Sequence, residues 1–494
     1  MTFSDEMPDN LPGTKMTTAL CFVAAYFAFQ AVMISLVSNG AGVDDAEQLA
    51  YIGPLHLGYG GSQLPLYTWI ASSVSDVLGL HLLTLQIVKF GLLASLFVSV
   101  YLGARLLGLS RAVAAAGMLA IFLLPPIGWE SQRALTHSVA GIAGSSWAFL
   151  AFTWHMRRKS FASAVLFGLA VAAALLGKPN ASIFIAALVL TALTVADYRR
   201  VLLSRYGVVA LVVALAALTP TALWMLDHKG AVLARTSKFA LDKVGPIAGR
   251  VQGLGELVQG AVLFAAPLLV FFAIMLWRQR KDRKMPSEAE TGAAGYRFLV
   301  RLVPVALAMT IAGILVSGTS RVEDRWLQPV LFLAPIGLAA AFAPRLSSEQ
   351  GFRRLSFWSA LVAMILIPGL AYHLHYGSAG KPPIGQLDYA SLYRQARSEL
   401  DFRAVLSDGP QLPGNMRLFD PSLVPIHYEM PDSLQRIRRP LLVVWFGDKA
   451  PPPIVPAMLK AANLDLSDAR IVRMRLHFLT RPETTRPVSY ALLP

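Results

Sequence analysis

Residues 42–70 read GVDDAEQLAYIGPLHLGYGGSQLPLYTWI. One apolar run precedes this stretch at 17–38 and another follows at 82–104. The stretch carries Asp44, Asp45 and Glu47 within four positions, then turns rich in Gly, Pro and aromatic residues, and the whole link 39–81 has no Lys or Arg. A carboxylate beside a low-dielectric bilayer is costly to ionise, so its basicity rises. That suits a general base, which works best when its pKa approaches the working pH. The rival reading is a group of solvated loop acids. HLGYGGSQLPLYTWI weighs against it, because aromatic, half-apolar sequence of this kind settles at a membrane interface and would hold the acids at headgroup depth. Tyr59, Gln63, Pro65 and Tyr67 are the site residues this segment offers.

Outward from it, the chain is built for lipid. Its 494 residues are 55% hydrophobic and 15% charged, with a mean hydropathy of +0.54, whereas a soluble domain carries roughly 25% charged residues. Apolar runs long enough to cross a bilayer, or nearly so, occur at 17–38, 82–104, 112–128, 137–154, 161–177, 181–197, 207–226, 258–277, 298–317, 330–343 and 355–376. That predicts a mainly α, polytopic membrane protein with about 11 transmembrane helices. RLLGLSR, HMRRKS, DYRRVLLSR, WRQRKDRKMPSEAETGAAGYR and PRLSSEQGFRR, on alternate links, are rich in Arg and Lys. The positive-inside rule puts them in the cytoplasm, with the N-terminus, and puts the C-terminal segment outside. The net charge of +15 is then mostly topology and an attraction to anionic lipid, not a nucleic-acid surface. MTFSDEMPDNLPGTK lacks a basic n-region, so the first run reads as a retained span. The single cysteine, Cys21, excludes an intramolecular disulfide.

At 377–385, GSAGKPPIG reads as a linker. Beyond it DYASLYRQARSELDFRAVL has helical spacing at Leu392, Ala396, Leu400 and Val405. NMRLFD, PLLVVWFG, ARIVRMRLHFL and VSYALLP read as strands, with PLLVVWFGD as a central one. The division is therefore a membrane domain 1–376, a linker 377–385, and a small outer α/β domain 386–494 that serves as a substrate or partner platform, a lid or a structural cap.

Four further groups could carry chemistry. GWESQRALTH holds Glu130, Arg133 and His137, a second carboxylate with partners for phosphate or sugar, or merely a polar cap on two span ends. Lys178 in LLGKPN is a lone ammonium ending a span, and snorkelling is the rival reading. Lys229, Arg235, Lys238, Lys243 and Arg250 lie in an outer link against the charge trend, as a segment attracting lipid phosphate would, or as a surface helix with incidental charge. SGTSRVEDRWLQP offers Arg321 and Arg325, whose planar forks suit phosphate, unless they only pair with loop acids. There is no Walker A motif, no Rossmann glycine fingerprint and no His/Cys set of metal spacing, which argues against nucleotide-driven or haem chemistry. No cofactor is required and no metal site is read; the acids could hold a divalent cation, but nothing indicates one. Few spans show mid-membrane acids or bases, unlike proton-coupled transporters, so the polar chemistry reads as gathered on one face.

DDAEQLAYIGPLHLGYGGSQLPLYTWI, WESQRALTHSV and DRWLQPVLFLAPI together resemble the membrane-embedded GT-C glycosyltransferases of the protein O-mannosyltransferase type. Within them the sequence is most similar to the bacterial branch of aminoarabinose transferases and rhizobial lipopolysaccharide galacturonosyltransferases. The resemblance spans about residues 15–376. It implies a polyprenyl-phosphate sugar donor, a hydroxyl acceptor on a lipid or cell-envelope polysaccharide, and inversion at the anomeric carbon. It implies a multi-pass protein of the bacterial inner membrane with its site and its C-terminal domain on the periplasmic side. The family's first-loop catalytic aspartate falls on Asp44. Relatives commonly have Asp-Glu where this chain has Asp44-Asp45, and many have an acid where it has Ala134, with Glu130 a candidate stand-in. Because polyprenyl phosphate leaves readily, the reaction needs a base at the acceptor and cations at the departing phosphate, from Arg325, Lys178 or the 229–250 link. That basic link also fits a uronic acid donor or an anionic lipopolysaccharide acceptor. The alternatives are a lipid-linked sugar flippase without transferase activity and an inactive accessory protein of the same fold.

Overall fold

The computed structural model describes residues 13–60, 63–230, 246–278, 293–346, 349–467 and 469–494. All eleven apolar runs are helical. In hydrocarbon no water can satisfy a backbone amide or carbonyl, so a helix is the one local solution for an apolar run. Among the described residues six helices are long and apolar enough to cross a membrane, Thr17–Val37, Leu82–Leu106, Arg205–Asp227, Ile247–Arg278, Ala294–Ser317 and Gln350–Tyr376. Arg111–Leu123 with Pro126–Arg133, bent by 72°, and Ala181–Leu193 with Ala196–Leu202, bent by 116°, raise this to eight if each pair is one span. Large apolar side chains such as Leu211, Val212 and Leu215 stand exposed on these helices, as lipid-facing residues do.

The chain divides into two compact units. One comprises Met1–Phe27, Gly91–Gln132 and His137–Leu366; the other comprises Ala28–Phe90, Arg133–Thr136 and Ile367–Pro494. Within the first, small residues let backbones approach: a Cβ on Gly141 would lie 2.6 Å from Cβ of Lys178.

The second unit carries the opening stretch. After α1 (Gly13–Val37), the acids lie in α2 (Val43–Tyr51), the aromatic segment leads into α3 (Leu66–Leu78), and α4 (Leu82–Leu106) follows. The same unit holds the C-terminal sheet of β1 (Ala404–Leu406), β2 (Val424–Ile426), β3 (Leu441–Phe446), β4 (Ile471–Phe478) and β5 (Arg481–Leu493). The strand order is β2-β1-β3-β5-β4; β1 runs parallel to β2 and β3, and β5 runs antiparallel to β3 and β4. Leu442 and Val444 join one apolar cluster with Leu392 and Leu412, while Leu441, Val443 and Trp445 join another with Val455 and Leu459. Burial on both faces explains why LLVVWF is continuously apolar.

Two sequence expectations fail in this domain. NMRLFD is not a strand: it is the end of the helix Gln411–Met416 and the turns after it. The side chain of Asn415 bonds the carbonyl of Gln411 four residues back, and such local bonding competes with strand pairing. Val405 is not helical either. The helix Tyr389–Glu399 stops early, and Val405 pairs as a strand residue with Pro425 and Leu442.

Candidate active site

Asp44 and Asp45 occupy the first turn of α2, where the helix dipole favours negative charge. Their surroundings differ. Asp44 is half-buried, and its Oδ2 accepts a hydrogen bond of 2.6 Å from the amide of Leu135. Leu135 is held at φ 67°, a left-handed conformation that costs a branched residue about 1–2 kcal/mol. Among the described residues Oδ1 of Asp44 receives no hydrogen bond.

Asp45 is enclosed. Its carboxylate lies 3.3 Å from Nζ of Lys89 and accepts a bond of 3.1 Å from Nε2 of Gln86. Lys89 is wholly buried, about two turns inside α4. Gln86 and Lys89 are three residues apart and share one helix face. A buried ammonium from within an apolar span, which the sequence reading did not single out, thus pairs with one acid of the first-turn pair. The signal for it was in the sequence, since a lone ionisable residue inside an apolar run is a candidate functional position.

Glu47, one turn on, accepts from Nε2 of Gln63 at 3.2 and 3.3 Å. Tyr59 and Gln63 form an antiparallel bridge, and Pro65 supplies the carbonyl that opens α3. Tyr67 is fully buried, and burial together with Asp45 and Asp44 holds its hydroxyl protonated well above the usual range. The 59–67 segment thus meets Glu47 through the side chain of Gln63.

In the first unit a second polar group forms around Lys178. Its Nζ donates to Oγ of Ser138 at 2.5 Å and to the carbonyl of Arg325 at 3.4 Å, while Asn180 donates to the carbonyl of Trp326 at 2.9 Å. Of the residues singled out in the sequence, Lys178 therefore meets the backbone of Arg325, and its side-chain partner is Ser138, which the sequence reading did not name. Both guanidinium groups of the 321–325 segment turn to Glu323, Arg321 at 3.1 Å and Arg325 in closer contact, rather than to Asp324.

Glu130 ends a π-type turn, Pro126–Glu130, in this unit, and His137 stands half-buried near the start of the helix Thr136–Arg158. Arg133, in the second unit, ends the short helix Ser131–Arg133 and is half-buried. Lys229 is exposed just beyond the helix Arg205–Asp227, and Arg235 and Lys238 lie outside the described residues. Among the described residues no three His, Cys, Asp or Glu side chains gather as metal ligands would.

The solved structure of ArnT from Cupriavidus metallidurans bound to undecaprenyl phosphate superposes with a TM-score of 0.61, covering 97% of this chain and 98% of that one at 13% identity. This likeness is one of fold, and it is the fold of the GT-C membrane glycosyltransferases. No family model matches the chain. Two curated proteins of Rhizobium johnstonii do. The lipopolysaccharide core galacturonosyltransferase RgtB is 30% identical over 463 residues, covering 90% of this chain and 91% of its own length. The lipopolysaccharide core galacturonosyltransferase RgtA is 29% identical over 482 residues, covering 94% of both. The chain belongs to this lipopolysaccharide core galacturonosyltransferase family of GT-C enzymes.

Proposed function

We propose that the protein transfers a sugar, a uronic acid by family membership, from a polyprenyl-phosphate donor to a hydroxyl of the lipopolysaccharide core, with inversion, at the periplasmic face of the inner membrane. The observation that carries this reading is Asp44: one carboxylate oxygen is fixed by the Leu135 amide and the other accepts no hydrogen bond among the described residues. The names of its relatives support the sugar and the acceptor, and the polyprenyl phosphate in the ArnT structure supports the carrier. On the same reading residues 386–494 form a periplasmic domain joined through 377–385 to the membrane domain 1–376.

The step balances as a single displacement. Asp44 takes the proton of the acceptor hydroxyl, whose oxygen forms a bond to the anomeric carbon. The bond from that carbon to the phosphate oxygen breaks, and polyprenyl phosphate departs with the electron pair. Lys178 and Arg325 are the candidates for stabilising its charge, Arg325 by exchanging Glu323 for phosphate. Asp45 does no proton transfer here, because its carboxylate is committed to Lys89. Glu130 remains the candidate for a second acid, and Arg133, His137 and the 229–250 link for contacts to sugar or phosphate.

The test is incubation of purified protein with a polyprenyl-phosphate uronic acid and lipopolysaccharide core. The reading predicts released polyprenyl phosphate and a product of inverted anomeric configuration. Translocation of the intact donor without release would favour a flippase.

A further inference from the structure

α2 has nine residues, whereas an isolated helix needs about 12–15 to be even marginally stable in water. Its geometry must therefore be imposed from outside, and the C-terminal domain supplies contacts along its whole length. Before its first turn, the amide of Ala41 donates to Oδ1 of Asn415 at 2.7 Å, and the carbonyl of Ala41 accepts from Nδ2 of Asn415 at 3.2 Å and from Nε2 of Gln411 at 2.9 Å. At its middle, Gly414 lies so near that a Cβ there would be 2.1 Å from the carbonyl oxygen of Ala46. At its end, Nη1 of Arg417 donates to the carbonyls of Leu49 at 2.6 Å and Ile52 at 2.7 Å.

Each contact answers a need of the helix. The last carbonyls of a helix lack partners within it, and a cation there complements the dipole. Among the described residues Arg417 forms no ion pair, so its charge is directed at the helix end. Burial, with the Arg436 guanidinium adding, lowers its pKa to about 10, which still leaves it charged near neutrality.

We infer that residues 411–417 of the C-terminal domain are a positioning device for the acid helix, with Asn415 registering its start and Arg417 its end. The domain then acts on the reaction through Asp44, without touching the reacting atoms. The inference rests on the reading of Asp44 as the base.

The test uses the full chain. In Arg417→Ala, kcat is expected to fall roughly 10- to 100-fold, as for a misplacement of about 1 Å, while both KM values stay within about threefold. Added guanidinium at low millimolar concentration is expected to restore part of that kcat and none of the kcat of Asp44→Asn. Asn415→Ala is expected to lower kcat in the same sense. Unchanged kcat in both variants overturns the inference, and so does a raised acceptor KM at unchanged kcat, which would make the segment an acceptor surface. If Arg417→Ala does not fold, Arg417→Met, which keeps much of the stem without charge or donors, is read by the same kcat criterion, and a normal kcat there overturns the inference. Normal turnover in Asp44→Asn would defeat the active-site reading itself. An inactive Asp44→Asn beside a normal Arg417→Ala would defeat only the positioning.

Discussion

Two places in the molecule set a carboxylate against cations, and they do it in opposite ways. At Asp45 the partner is Lys89, fully buried, with Gln86 donating to the same carboxylate. At Glu323 the partners are Arg321 and Arg325, whose side chains are 60% and 42% exposed. The first pair is a closed fixture and the second an open, exchangeable one. A fixture suits the neighbour of the proposed base, because it holds one acid of the pair apart from the adjacent one. An exchangeable pair suits a phosphate site, because an arriving phosphodiester anion can take over a guanidinium at little desolvation cost.

The largest effect that would break this contrast is at the enclosed pair. Lys89→Met leaves Asp45 buried without its cation and is expected to cost about 3–5 kcal/mol of stability, whereas Lys89→Met with Asp45→Leu recovers most of it. Thermal unfolding of the detergent-solubilised protein, followed by tryptophan fluorescence, measures both; equal destabilisation by the single and double variants would contradict enclosure.

A second, intermediate effect is pH dependence on the enclosed side. His427 is fully buried beside Tyr51, and among the described residues neither ring nitrogen has a partner. Burial, aided by Arg436, pushes its pKa from the ordinary 6.5 down to about 3. The folded protein therefore keeps His427 neutral where the unfolded chain takes up a proton. Its stabilising contribution is complete above pH 6.5 and is lost as pH falls toward 3, at up to about 1.4 kcal/mol per pH unit. Unfolding temperatures between pH 7 and 5 should fall less steeply in His427→Leu than in the parent; parallel curves would refute the assignment.

The smallest effect is at the open pair. Glu323→Gln is expected to change stability by less than about 1 kcal/mol. Because it releases Arg325, it should lower the donor KM a few-fold; a raised donor KM would show that Glu323 orders the segment for binding instead.

The sequence makes much of this molecule legible, for reasons that differ by region. Apolar runs announce their helices because lipid leaves the backbone no other local option. PLLVVWF announces a central strand because both its faces are covered. Asn415 and Val405 do not announce themselves, since a short helix and a three-residue strand are fixed by packing partners far away in the chain. Among the candidate site residues, Asp44, Asp45 and Lys178 stand out as charges against an apolar background. Lys89 was equally visible but lay within a run whose average hydropathy hid it. Leu135 and Arg417 could not be found from spacing, because each acts through the backbone: Leu135 with its own amide, Arg417 on the carbonyls of Leu49 and Ile52.

Turnover of Asp44→Asn with a polyprenyl-phosphate uronic acid and lipopolysaccharide core, alongside donor binding to the same variant, tests the central claim most directly. The account predicts a rate lower by about 10²–10⁴-fold with donor affinity retained. Near-normal transfer by Asp44→Asn would contradict it.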